Sequence, residues 1–235
     1  MRTKLPQGEE ELRFLDQLAR TTSRRKFLQW SGVTIGVVAL GCSDGNGDGG
    51  TGPGTGVNLG TGDTGVLNYA YALEQLEAAF YTQVVASFYA GAPAAEQTLL
   101  TDIRNHEVIH RDFFKAALGS AAIADLTVDF TSVNFADRAS VLGTARTFED
   151  LGVSAYNGAG QLLTTPANLV TAGRIVSVEA RHAAAIRDLI TANSFAASDV
   201  VDGNALDVVR TPTQVLTLAD PFVTTTITAS GLPTA

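Results

Sequence analysis

Cysteine is almost missing from this chain: Cys42 is the only one in 235 residues. A single thiol excludes an intramolecular disulfide and any zinc or iron–sulfur site built on several cysteines. Basic charge is also short, with 16 Lys/Arg against 24 Asp/Glu and a formal net charge of −8. Seven of the basic and four of the acidic residues fall within residues 1–42, leaving nine against twenty in the rest. So acidic a body repels a phosphate backbone, and no nucleic-acid partner is expected. Hydrophobic residues make up 45% of the chain, enough for the core of one ordinary domain with segments to spare.

The spare segments lie first. Ser23-Arg24-Arg25-Lys26-Phe27-Leu28-Gln29 precedes a moderately apolar stretch, Trp30 to Gly41. The stretch is shorter than the roughly 20 residues that span a bilayer as a helix, so it reads as the apolar part of an export signal. The whole resembles a twin-arginine signal, with Arg24 and Arg25 as the pair, which implies the twin-arginine export machinery as a partner. Val38-Ala39-Leu40-Gly41-Cys42-Ser43 resembles a lipobox, with Ala39 and Leu40 in reversed order. That resemblance implies lipidation of Cys42 and a membrane partner reached through the lipid anchor. Residues 1–42 are therefore expected to be a signal peptide, and the mature protein to be exported, periplasmic or at the cell surface.

Residues 43–65 hold ten glycines and almost no large apolar group. Such a segment buries too little to offset its ordering entropy, and it is expected to be a flexible linker with an end-to-end distance of about 25 Å. Asp44, Asn46, Asp48 and Gly49 match half a calcium loop, but Thr55 stands where the bidentate Glu belongs, which argues against calcium there.

From Val66 the pattern becomes helical. Leu67, Ala70, Leu73, Leu76, Phe80 and Val84 recur at threes and fours through a first helix reaching Tyr89. A second is expected over 94–118 with Gly119 as its stop, a third over 137–163, and a fourth over 167–192 with Thr165 as cap and Pro166 at the first helical position. Helices of about 25 residues run about 35–40 Å. Joined by short turns they form antiparallel hairpins, and the longer link over 120–136 supplies a crossover between two hairpins. The expected fold is all-α: a ferritin-like four-helix bundle over 66–194, followed by an extension over 195–235. Thr211-Pro212-Thr213-Gln214 opens one short helix there.

Chemistry-bearing residues sit on these helices at a telling spacing. Glu107-x-x-His110 lies on the second and Glu179-x-x-His182 on the fourth. At i and i+3 both side chains leave one face, offering an oxygen and a nitrogen to the same point in the core. Glu74 on the first helix and Glu149 on the third complete a carboxylate set, each followed seven residues later by a tyrosine, Tyr81 and Tyr156. Glu77 has Gly152 as its counterpart on the third helix and is read as either an extra ligand or an acid just behind the ligands. Four carboxylates in a core without cations would repel one another severely.

The phrases LEQLEAAFYTQ, NHEVIHRDFF, FEDLGVSAYNGA and VEARHAAAIR, within about Leu67 to Ile190, resemble the ferritin-like superfamily and its desiccation-related branch. The resemblance implies two iron or manganese ions as cofactors on Glu74, Glu107, His110, Glu149, Glu179 and His182. An oxidoreductase that oxidises ferrous iron or removes peroxide in stress is the expectation that follows. A non-catalytic stress, desiccation or partner-binding bundle is the alternative, and a homo-oligomeric assembly is left open. His106-Glu107-Val108-Ile109-His110 is also a literal HExxH, the zinc hydrolase signature. Its extended form is missing, since Phe113 and Ala116 occupy the places of the further glycine and histidine.

Overall fold

The structure is a computed structural model that describes residues 56–233. The twin-arginine pair, Cys42, the half calcium loop and most of the glycine-rich segment lie outside the described residues. Within them the order is β1 (Val57–Asn58), α1 (Gly62–Ala86), α2 (Ala94–Leu118), α3 (Arg138–Gly160), α4 (Pro166–Ile190), α5 (Pro212–Ala219) and β2 (Ile227–Thr228). Four helices of 23 to 25 residues form the all-α, ferritin-like bundle expected. No helix among the described residues is long and apolar enough to cross a membrane.

The hairpins are α1 with α2 and α3 with α4, joined by the crossover over 119–137, and α1 packs on α3 between them. Most of α1 is buried, whereas α2 and α4 each bury a single stripe. On α2 that stripe is Leu100, Ile103, Glu107, His110, Phe114 and Leu118; on α4 it includes Ile175, Glu179, His182 and Ile186. The spacing of three and four that buries the aliphatic residues thus carries the Glu and His residues inward with them. An aromatic group closes one side of the core: Phe80 meets Phe148 edge-on at 5.2 Å, and Phe148 meets Phe222 at 4.8 Å.

Some helix ends follow their local chemistry. Asp137 caps α3 by accepting from Ser140 N at 3.0 Å. Gly119 ends α2 with φ 55, a backbone region cheap only for glycine. Thr211 and Gln214 form the expected capping box on α5. Thr165, expected to cap α4 through its side chain, makes no such bond. Asp63 on α1 serves this end from across the bundle, accepting from Thr164 N and Oγ1 at 2.8 Å, Thr165 N at 2.9 Å and Asn168 Nδ2 at 2.9 Å. A carboxylate there also suits the positive end of the helix dipole.

The boundary expected at residue 65 falls earlier. Val57 and Leu59 are buried, β1 pairs in parallel with β2, and α1 begins at Gly62. Glycine composition signals flexibility only until a partner strand supplies hydrogen bonds, here Val57 N to Thr226 O at 2.8 Å and Leu59 N to Thr228 O at 3.0 Å. Buried Asn68 binds this segment to the crossover, donating to Leu59 O and Ala121 O and accepting from Ile123 N. The extension lies along the second hairpin: Arg210 donates from N and Nη1 to Ser154, and a Cβ on Gly158 would fall 1.8 Å from Arg210 O, so only glycine fits there.

Candidate metal centre

Glu74, Glu107, Glu149 and Glu179 are each 0% exposed, and His110 and His182 are 9% and 4% exposed. The six converge in two overlapping groups. Glu74, Glu107, His110 and Glu179 form one, and Glu107, Glu149, Glu179 and His182 the other, with the candidate ligand atoms of each group within 4.8 Å of one another. Glu107 and Glu179 belong to both. His110 Nδ1 lies 2.9 Å from Glu179 Oε1, 3.4 Å from Glu74 Oε2 and 3.6 Å from Glu107 Oε2. His182 Nδ1 lies 2.8 Å from Glu107 Oε1, 3.5 Å from Glu149 Oε2 and 3.9 Å from Glu179 Oε2.

These atoms crowd without satisfying one another. Glu74 Oε2, Glu149 Oε2, both oxygens of Glu107 and of Glu179, and Nδ1 of both histidines are buried with no hydrogen-bond partner. Burying so many polar atoms unpaired is strongly unfavourable unless something else pairs with them. The set divides evenly. Each group holds one oxygen from an outer Glu, one imidazole nitrogen, and an oxygen from each shared Glu, a donor set that suits one cation per group.

The outer carboxylates are held across the hairpins. Tyr81 on α1 donates its hydroxyl to Glu149 Oε1 on α3 at 2.5 Å, and Tyr156 on α3 donates to Glu74 Oε1 on α1. Each tyrosine occupies one oxygen and leaves the other facing inward. Sequence reasoning saw the repeated seven-residue spacing but not that each Tyr serves the opposite helix, a contact between helices that no local pattern records.

The electrostatics of this core favour cations. Burial pushes the Glu179 and Glu77 carboxyls well above the ordinary range, and neighbouring carboxylates push them further. Burial likewise raises Glu149, and it raises Glu74 to about 7 despite the pull of His110. Burial opposes the charged forms of His182 and Glu107 as well, yet contacts prevail: Glu107 and Glu149 raise His182 to about 11, and His110 and His182 lower Glu107 to about 2. His110 is raised in the same way by Glu107, Glu179 and Glu74 against the effect of burial. The core thus gathers protons to balance its carboxylates, and a bound cation would displace them.

Two further residues of the sequence reading stand outside both groups. His106 is exposed, and its Nδ1 lies 2.9 Å from His182 Nε2 with the rings nearly parallel. It therefore meets the back of His182 instead of joining His110 at one point, which is not the pairing an HExxH zinc site needs. Glu77 is buried, and its Oε1 lies 3.1 Å from where a Cβ on Gly152 would stand; Glu179 Oε2 lies 3.6 Å from the same point. Gly152 is the room in which the Glu77 carboxyl sits.

A family profile described as a ferritin-like domain matches residues 62–192. The match spans more than half the chain and begins where α1 begins. This chain belongs to the ferritin-like domain family. No curated protein matches it closely enough to add to that assignment. The family match and the buried Glu/His groups, which overlap at Glu107 and Glu179, together make this bundle compatible with a metal site.

Proposed function

We propose that this chain binds two iron or manganese ions and works as an oxidoreductase of the ferritin-like family, oxidising ferrous iron or removing peroxide. The observation that carries the reading is the set of buried, unpartnered atoms: outer oxygens from Glu74 and Glu149, imidazole nitrogens from His110 and His182, and four oxygens from Glu107 and Glu179. Oxygen and imidazole donors without thiolate suit iron and manganese. When bound, such a pair supplies or accepts two electrons at one place. The chain's own residues fix the rest. Tyr81 and Tyr156 hold the outer carboxylates, the shared carboxylates offset charge between the two positions, and full burial keeps bulk water out.

Composition supports work beside an oxidant. The only Met and the only Cys are Met1 and Cys42, so the bundle has neither of the sulfur side chains that peroxide attacks. Elemental analysis of protein produced with both metals supplied should find two ions of iron or manganese per chain. Neither metal, with the same fold retained, would overturn the reading.

The proposal includes location. The chain travels by the twin-arginine route, is lipidated at Cys42 and works outside the cytoplasm, a route that exports folded protein and lets metal load beforehand. Support comes from the residues around Arg24, Arg25 and Cys42. Changing Arg24 and Arg25 together to Lys should strand the precursor in the cytoplasm, and Cys42→Ala should move the protein from the membrane to the soluble fraction. Normal export of the first variant, or a wild type with an unmodified Cys42, would defeat the corresponding part.

A further inference from the structure

An apolar cavity lies beside the carboxylate groups, toward the end of the bundle where α1 and α4 begin and α2 and α3 end. Small side chains make the space: Ala70, Ala155, Ala159 and Ala172 line it, with Leu73 and Phe114. Its volume is about 20 Å³, which is room for one or two water-sized spheres at about 10–15 Å³ each. Leu67, Leu163 and Ala172 on its wall are half-buried, and the mouth lies there.

Two tyrosines give the cavity its meaning. Tyr156 lines it and donates its hydroxyl to Glu74, so the cavity and one ligand group share a wall. Tyr69 also lines it, is 1% exposed, and is the one tyrosine among the five whose hydroxyl has no partner. The others donate to Asp125, Glu149, Glu96 and Glu74. A buried water needs two to four polar partners, and this almost wholly apolar lining offers next to none, since even the unpartnered Tyr69 hydroxyl is closed off from it, so water fits this space poorly. An occupant with an apolar surface and the size of a diatomic molecule fits both the volume and the lining.

We propose that this cavity binds dioxygen and passes it between the mouth and the Glu74 side of the metal centre. Binding follows from the cavity alone; the delivery role rests on the di-metal reading above. In ferrous oxidation dioxygen is the reactant: it takes one electron from each of two ferrous ions and two protons from solvent, and leaves as hydrogen peroxide. In peroxide removal by disproportionation one hydrogen peroxide is oxidised to dioxygen while a second is reduced to two waters, and the same cavity lets the dioxygen out.

Xenon is the probe for the cavity and dissolved dioxygen for its role. Crystals of the wild type under xenon should show one atom bounded by Tyr69, Leu73 and Ala159. Ala159→Leu should abolish it, and Ala172→Leu, at the half-buried mouth where overpacking is milder, should weaken it. No xenon in the wild type, or an ordered water bonded to the Tyr69 hydroxyl, would overturn the binding. In anaerobically iron-loaded protein, both variants should slow oxidation by dioxygen several-fold at unchanged iron content. Oxidation by ferricyanide, too large to enter, should keep its rate. Unchanged dioxygen rates in both variants would overturn delivery while leaving the di-metal reading intact. Xenon bound in a protein that takes up no metal would sink that reading, and delivery with it, while the binding stands.

Discussion

The two hairpins carry the same candidate ligands and differ in what stands behind them. The first brings Glu74, Tyr81, Glu107 and His110; the second brings Glu149, Tyr156, Glu179 and His182, in the same order. Two positions break the repeat. Glu77 on α1 faces Gly152 on α3, and His106 on α2 has Val178 as its counterpart on α4. Both additional groups belong to the first hairpin, yet both act on the second: His106 reaches His182 Nε2, and Glu77 lies beside Glu179. Repetition yields a symmetric cage, and the departures make its two ends chemically unlike. The group around His182 has a second imidazole behind its own, while the group around His110 has a hydrocarbon residue at the matching sequence position.

The harshest way to break the symmetric part is to remove what both groups share. Glu107→Ala or Glu179→Ala should lose most of the bound metal, because each serves both positions and offsets repulsion between two cations. Glu74→Ala or Glu149→Ala should keep more, since each serves one. Metal counted per chain across the four variants decides it, and equal losses throughout would mean that no carboxylate is shared.

A milder test sharpens the asymmetry. His106→Ala should weaken one of the two ions by roughly 10–100-fold, the usual effect of losing the group that orients a ligating histidine. Val178→Ala should leave both affinities unchanged. Competition with a chelator would resolve the two binding steps. In a zinc hydrolase His106 would instead be indispensable and His182 dispensable, so His182→Ala binding metal normally would reverse the assignment.

The smallest effect belongs to Gly152. Alanine in a helix interior ordinarily stabilises by about 0.5–1 kcal/mol over glycine. At Gly152 its Cβ would press on Glu77 Oε1 at 3.1 Å, so Gly152→Ala should gain little or nothing alone. In a Glu77→Ala background the same change should show the ordinary gain in thermal unfolding. A gain of equal size in both backgrounds would mean that the glycine is not there for Glu77.

Much of this architecture was legible because helix formation is local. The second helix runs over the residues that period and punctuation indicate, Ala94–Leu118, and the Glu-x-x-His spacing points both motifs inward. What was hidden depends on residues far apart in the chain. Asp63 serves the start of α4 from about a hundred residues away, and β2 orders a glycine-rich segment that composition alone calls a linker. His106 matches a hydrolase motif in sequence, and only the approach of α4 gives its ring a different partner. Arg210, in a tail without evident chemistry, fits against Gly158 because that one position of α3 has no Cβ.

The β1–β2 clasp changes how the connectivity of this fold should be viewed. Two segments 170 residues apart, Val57–Asn58 and Ile227–Thr228, lie side by side and parallel, so the path of the chain through the bundle is nearly a closed ring. A ring can be opened elsewhere. Joining the strand neighbourhoods with a short linker and cutting the turn at Gly91 would restring the four helices in a new order while leaving each Glu and His on its own helix. Proximity of chain ends is the condition under which such circular permutation is tolerated. The site then depends on which helix faces touch, and not on the order in which the chain visits them.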